Sequence, residues 1–120
     1  MPAIVVPDDF PSVFFGTEAH ERLKALGDVR IFTERGADQE AELIRRIGSA
    51  EVAINIRAHA KFTEAVFRAC STLKLVSVWG TGVDNIDLAA AERHGVTGTN
   101  TPAVNAHAVA EHALALMLAV

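Results

Sequence analysis

The residues best suited to chemistry are Gly80, Thr81 and Gly82, which follow an apolar run at residues 75–79. Backbone N–H groups in such a turn, at the carboxyl end of a strand, can hold a small anion. A dinucleotide-binding fingerprint needs a third glycine where Asn85 stands, and an acidic residue near 99–101, where the chain has Thr-Asn-Thr. The pattern therefore favours amides that hold a small carboxylate. A phosphate loop, or a turn that needs glycine only for its dihedral angles, stays open.

Arg57 ends another apolar run, at residues 52–56. In a loop at the carboxyl edge of a sheet, a guanidinium can bind a carboxylate or phosphate with a two-point fork. The alternative is an ordinary surface arginine whose stem lies on apolar neighbours. His59 is of the type that titrates near neutrality, although a single loop histidine is usually only solvated.

The other polar groups favour no further site. His107, Glu111 and His112 have a spacing that matches no zinc-protease helix, so no metal site is predicted. Asp8-Asp9 is typical of a turn. Cys70 has no nearby helix start or cation that would favour its thiolate, so we expect an inert thiol.

The composition bounds the class of protein. The chain has 120 residues, half of them apolar, with a net charge of −4, which suits one compact domain or part of a larger protein. Because no basic stripe is present, we expect neither a nucleic-acid partner nor a membrane partner. The longest apolar run, 113–120, is too short to span a bilayer, and nothing resembles a signal peptide. A single cysteine excludes an internal disulfide and suggests a cytoplasmic location.

Short apolar runs alternate with amphipathic segments, which predicts β-α repeated five times. Such near-continuous apolar strands indicate an α/β fold with a flavodoxin-like, doubly wound, parallel five-stranded sheet. The loops at 7–12, 57–61 and 79–85 would then share its carboxyl edge. The predicted strands are 3–6, 29–32, 52–56, 75–79 and 96–99; the predicted helices are 18–26 with Thr17 as N-cap and Gly27 as stop, 38–47 capped by Asp38, 62–69, 88–94 capped by Asp87, and a last helix opened by Asn105.

The last helix is apolar on nearly every side, from Val109 through Leu114 and Met117 to Val120. A terminal helix of a monomer normally has one polar face. This helix therefore predicts burial against further chain or a second subunit, and we expect a homodimer formed through it.

Two motifs resemble a known family. Residues 73–88 (LKLVSVWGTGVDNIDL), and residues 100–105 (NTPAVN) followed by VAEH at 109–112, are similar to the substrate domain of D-isomer-specific 2-hydroxyacid dehydrogenases. Within that family, this chain most resembles the D-3-phosphoglycerate dehydrogenase and hydroxypyruvate reductase branches. The resemblance implies hydride transfer between NAD or NADP and a small D-2-hydroxy acid or 2-keto acid.

The resemblance also implies roles for individual residues. The amides of Thr81 and Gly82 would hold the substrate carboxylate, with Thr81 also near the cofactor. Arg57 would contact an acidic substrate, Asn105 would line the pocket and Ala106 would lie beside the nicotinamide. Where the family loop continues with serine and threonine, this chain has Ala58-His59-Ala60, and His107-Ala108 replaces a serine of many relatives.

No catalytic residue is assigned within these 120 residues. In the family, the dinucleotide loop and the catalytic arginine, glutamate and histidine would follow later. We therefore expect residues 1–100 to form the substrate-binding domain and 101–120 to form a linker and the first helix of a Rossmann cofactor domain, with the chain inactive alone. The alternative is a free-standing flavodoxin-like module that binds a small acid or has a regulatory role.

Overall fold

The computed structural model describes residues 2–80, 82–102 and 106–119, with the backbone alone at Ala106. Helices and strands alternate along these residues. The strands are β1 (Ala3–Val6), β2 (Asp28–Ile31), β3 (Val52–Asn55), β4 (Leu75–Val78) and β5 (Thr97–Thr99); the helices are α1 (Glu18–Lys24), α2 (Glu40–Ile47), α3 (Glu64–Ala69), α4 (Leu88–Arg93) and α5 (Ala106–Leu118).

All strand pairs are parallel, in the order β2-β1-β3-β4-β5, so the predicted flavodoxin-like sheet is confirmed. Ile4 pairs with Val29 on one side and Val52 on the other. The chain reverses its direction of winding between β1 and β3, and ligands of such sheets bind beyond the strand ends at that point. The loops after β1, β3 and β4 therefore meet at one edge.

The core has two layers because both faces of the sheet carry apolar side chains. Val5, Ala53 and Val76 pack against α2, α3 and α4, whereas Ile4 and Ile54 belong to the layer that α1 covers. The side chains that these helices bring to the core are Leu43 and Ile47 of α2, Val66 and Phe67 of α3, Ala90 and Ala91 of α4, and Leu23 of α1.

The start of α2 and the end of α1 differ from the prediction. Asp38 does not cap α2, which begins after Gln39 with no side-chain cap bond. Gly27 does not stop α1, which already ends at Lys24. A Cβ at position 27 would lie 2.3 Å from the carbonyl oxygen of Pro2, so glycine is required by a close backbone approach rather than by a helix cap. Thr17 and Asp87 are N-caps as predicted.

The start of α3 also differs, because long-range pairing withdraws Phe62 from the helix. The Phe62 N–H donates to the Asn85 carbonyl (2.8 Å), and the Asp87 N–H donates to the Phe62 carbonyl (2.9 Å). The helix begins only after Thr63, whose hydroxyl accepts from the Val66 N–H. This short parallel bridge joins the loop after β3 to the loop after β4.

Helix α5 is exposed at every position from 107 to 118. Its apolar side chains include Val109, Leu114, Met117 and Leu118, all more than half exposed. The molecule measures 50 × 31 × 23 Å, elongated for its size. No helix among the described residues has the length and apolar character to cross a membrane.

An ionic cluster on the surface joins α3 to α4. Glu64 accepts from His94 Nε2 (2.9 Å) and Arg93 Nη2 (2.8 Å), with Arg68 at 3.4 Å. The hydrogen bond from His94, followed by that from Arg93, lowers the pKa of Glu64 to about 2.

We expect Glu64→Gln to destabilise the protein at pH 7. Since the folded-state pKa lies below the usual 4.5, the carboxylate contributes stability above pH 4.5 and loses it as the pH falls toward 2. The difference in urea midpoint between wild type and variant should therefore shrink over that range. Glu92→Gln, an exposed change in α4, is the control, and equal pH dependence for both variants would contradict the assignment.

Candidate functional site

The loop after β1 is organised around the carboxylate of Asp9, which is fully buried. One oxygen accepts from the Val13 N–H (2.8 Å); the other accepts from Ser12 Oγ (3.0 Å) and the Phe15 N–H (3.1 Å). The Phe14 N–H lies 3.1 and 3.2 Å from the two oxygens. The predicted turn is therefore wound around an internal anion, which sequence reasoning missed.

A buried cation anchors the same loop to the one after β2. Arg46 of α2 is 3% exposed; its Nη1 donates to the carbonyls of Pro7 (2.9 Å) and Glu34 (3.0 Å), and its Nη2 to that of Arg35 (2.6 Å). Glu42 accepts from Nε at 2.9 Å. The sequence offers a signal for this role, because Arg46 shares the helix face of the core residue Leu43, three positions earlier.

Arg57 lies at the carboxyl edge, as predicted, and joins the loops after β3 and β1. Its Nη2 donates to the carbonyl of Pro11 (2.7 Å). Its Nε is buried and has no hydrogen-bond partner among the described residues. The guanidinium is thus held from one side and retains donor capacity.

The glycine turn follows the neighbouring strand. Asn55 pairs with Val78, and the Trp79 N–H donates to the Asn55 carbonyl (2.9 Å). Arg57 and Gly80 each come two residues after that pair, so they follow the ends of adjacent strands. An anion at this edge could meet both loops.

The prediction that the backbone amides of the glycine turn are free to bind an anion is wrong for Gly80. The Gly80 N–H donates to Thr101 Oγ1 (2.8 Å), and the Thr101 N–H donates to the Gly80 carbonyl (2.9 Å). Gly80 has φ +146°, which favours glycine. Gly82 is exposed, with open space where a Cβ would be.

The side chains of three predicted site residues lie outside the part of the chain that the structure describes. Thr81 and Asn105 lie outside the described residues, and Ala106 begins α5 with only its backbone described. Their roles stay predictions.

Asn85 explains why the turn departs from the dinucleotide fingerprint. Its side chain is buried, and Nδ2 donates to the carbonyl of Ala60 (2.8 Å). A glycine at this position would leave that carbonyl without its donor. The residue therefore fixes the loop after β4 to the loop after β3, a role that the sequence alone did not reveal.

His59 is not merely solvated. Its Nδ1 lies 2.9 Å from Oδ2 of Asp8, and Asp8 is only 2% exposed. Both residues line a cleft of about 640 Å³, whose other charged residues are Arg35, Asp38 and Lys61. The cleft lies beside Arg57, because Pro11, which accepts the hydrogen bond from Arg57, also lines it.

The remaining candidates add no reactive centre. The described residues contain no group of three or more histidine, cysteine, aspartate or glutamate side chains placed to hold a metal ion. Cys70 is buried, and this burial raises the pKa of its thiol. A thiol in such surroundings is a poor nucleophile, in agreement with the sequence prediction.

A family model described as D-isomer specific 2-hydroxyacid dehydrogenase, catalytic domain, matches residues 11–115. The chain belongs to this family. The resemblance found in residues 73–88 and 100–112 is therefore confirmed, and it extends over the loop after β3 and the later part of the loop after β1, from residue 11.

A dehydrogenase relative agrees with the family assignment. The chain is 45% identical over 102 residues to a D-3-phosphoglycerate dehydrogenase of Archaeoglobus fulgidus, covering 85% of this chain and 19% of the relative. It therefore spans about a fifth of that protein's length.

Solved structures share the fold. The TT0316 protein of Thermus thermophilus superposes with a TM-score of 0.83 at 29% identity, over 99% of this chain and 36% of that chain. An acyclic imino acid reductase, Bsp5, solved in complex with NADPH and D-Arg, gives a TM-score of 0.80 at 26% identity, over 94% of this chain and 35% of that chain.

We expect Asp9→Asn to destabilise the protein by roughly 2–3 kcal/mol, because an amide group cannot accept from all the donors that surround this buried carboxylate. Urea denaturation measures the change. Asp28→Asn, at an exposed position of β2, is the matched control and should stay within about 0.5 kcal/mol of wild type. Similar unfolding energies for the two variants would show that Asp9 does not organise the loop.

Proposed function

We propose that this chain supplies the substrate-binding portion of an enzyme that transfers hydride between NAD or NADP and a D-2-hydroxy acid or 2-keto acid. The observation that carries the proposal is the position of Arg57 and Gly80 just after the ends of adjacent strands, within a chain of the 2-hydroxyacid dehydrogenase family. A cationic fork beside backbone amides suits a small organic acid.

In this proposal each group orients the acid rather than reacting with it. The amides of Thr81 and Gly82 hold the carboxylate, while the guanidinium of Arg57, anchored to the Pro11 carbonyl through Nη2, stabilises a second negative or polar group. These two contacts fix the direction in which carbon 2 of the substrate faces. Orienting two reactants in this way accounts for much of the rate acceleration of a bimolecular reaction. Asn105 lines the pocket, and Ala106, with Thr81, lies beside the cofactor.

A bound nicotinamide cofactor would supply or accept the hydride. A general acid or base must also exchange a proton with the substrate oxygen. We assign neither the main cofactor site nor that acid or base to residues 1–120, and propose 1–100 as the substrate-binding domain with 101–120 leading into a cofactor domain. We further propose a cytoplasmic location, which the single buried cysteine supports.

The assignment of Arg57 can be tested by NMR titration of the 120-residue chain with hydroxypyruvate, following the backbone amide of Gly82. We expect a saturable shift at weak affinity, and Arg57→Ala should weaken binding about tenfold, the loss of one charge-assisted hydrogen bond. Arg68→Ala, an exposed arginine of α3, is the control. Equal binding by both variants would remove Arg57 from the site.

The same titration distinguishes the free-standing module. Micromolar binding of hydroxypyruvate by the chain alone would favour an acid-sensing module over a substrate half-site. NADH-dependent reduction of hydroxypyruvate by the chain alone would overturn the proposal that it is inactive by itself.

We also propose that α5 forms a homodimer, since Leu114, Met117 and Leu118 occupy one exposed helix face. Analytical ultracentrifugation should find a dimer that the double variant Leu114→Lys/Met117→Lys converts to monomer. Leu26→Lys, at an exposed leucine after α1, should leave the dimer intact. A monomeric wild-type protein with α5 helical would contradict the proposal.

A further inference from the structure

Two buried side-chain atoms at the end of β3 have no hydrogen-bond partner. Among the described residues, Oδ1 of Asn55 and Nε of Arg57 are the only buried side-chain nitrogen or oxygen atoms in this condition. Native proteins pair nearly all such atoms, so an exception within three residues of chain calls for an explanation. The two atoms are also complementary, because a carboxamide oxygen accepts a hydrogen bond and a guanidinium nitrogen only donates.

Asn55 is a polar residue in an apolar layer. It is 3% exposed, and it shares a face of β3 with Ala53, which belongs to the core covered by α2, α3 and α4. Val78, its partner in the parallel pair with β4, belongs to the same core. An acceptor in such surroundings lowers the stability of the fold unless a donor reaches it. The asparagine therefore indicates a role other than folding, since natural proteins keep such costs mainly where function requires them.

The backbone of Asn55 is fixed, so a change that pairs the two atoms has to come from Arg57. The Asn55 carbonyl accepts from the Trp79 N–H at 2.9 Å, which ties this end of β3 to the chain that leads into the glycine turn. Arg57 follows the strand by two residues and is partly exposed. Its Nη2 donates to the Pro11 carbonyl at 2.7 Å, and its long side chain can turn about this contact.

We propose that Asn55 is a positioning residue for Arg57 in the binding of a small acid. When the acid binds, Arg57 Nε donates to Asn55 Oδ1 while Nη2 keeps its bond to the Pro11 carbonyl. The guanidinium is then held at two of its three nitrogens, and Nη1 is the nitrogen directed at the ligand. This inference rests on the proposed function, because it takes Arg57 to be the residue that meets the acid.

Asn55→Val and Asn55→Thr are a matched pair of variants that tests the role of the oxygen. Both side chains have the same shape and suit a strand, but only threonine keeps an acceptor. Binding is measured by NMR titration of the 120-residue chain with hydroxypyruvate, following the backbone amide of Gly82. Asn55→Val should weaken binding about fivefold, the net contribution of one hydrogen bond, whereas Asn55→Thr should stay within about twofold of wild type. Equal affinities for the two variants would overturn the proposal.

The Nε–H resonance of Arg57 reports the contact directly, and it can be identified as the signal that Arg57→Ala removes. In the wild-type protein, saturating hydroxypyruvate should move this resonance downfield, because a hydrogen bond forms at Nε. The movement should be smaller in Asn55→Val than in Asn55→Thr. A purely structural role of Asn55 would not make this signal respond to the acid, so an unchanged wild-type resonance at saturation counts against the positioning role.

The stability of the ligand-free protein provides a measurement of opposite sign. Because Asn55 Oδ1 has no donor to lose, Asn55→Val should unfold at a urea concentration no lower than wild type. Asn85→Ala is the comparison, since Asn85 is also buried but its Nδ2 donates to the Ala60 carbonyl at 2.8 Å. That variant should have a lower urea midpoint. An equal loss of stability for the two variants would show that Asn55 is already paired without the acid, and would overturn the proposal.

The results separate this inference from the proposed function. Saturable shifts at Gly82, together with an Arg57 Nε–H resonance that does not move, would remove the role of Asn55 and leave the proposed function intact. No binding of hydroxypyruvate at Gly82 by the wild-type chain would overturn both. Saturable binding that Arg57→Ala and Asn55→Val both weaken, and that Asn55→Thr retains, is the result that we expect.

Discussion

Two buried charges determine the shape of the carboxyl edge of the sheet. Asp9 and Arg46 lie in surroundings from which water is excluded, and an ionised group there is tolerated only when hydrogen bonds replace its hydration. Asp9 finds its donors in the loop after β1, and Arg46 finds carbonyl acceptors in the loops after β1 and β2. Satisfying these two groups therefore fixes two of the loops that surround the proposed sites.

The loops after β3 and β4 are also fixed in place, in this case by uncharged hydrogen bonds. Asn85 donates to Ala60, and Phe62 pairs with the backbone on both sides of Ile86. Arg57 then connects the loop after β3 to the loop after β1. The edge is thus a continuous hydrogen-bonded surface with no separate flaps among the described residues, which suits a site that orients a ligand rather than one that closes over it.

The order of helices and strands was predictable because apolar periodicity and capping residues act locally. Thr17 and Asp87 cap their helices through bonds to residues three positions on, so their roles can be inferred from the chain itself. Phe62 and Asp38 could not be placed in the same way. Phe62 is removed from its helix by a partner more than twenty residues away, and α2 starts after Gln39 without a side-chain cap.

The features of the candidate site can likewise be separated into those set by local sequence and those set by distant partners. The sequence by itself determined the parallel α/β fold, the position of Arg57 and the glycine turn at one edge, and the family, because these depend on strand order and on short contiguous motifs. Only the tertiary structure decided that His59 lines a cleft and lies against Asp8, that Arg46 donates to the Pro7 carbonyl, and that the Gly80 amide already donates to Thr101. Each of these depends on a partner at least twenty residues away, and local pattern carries no information about such pairing.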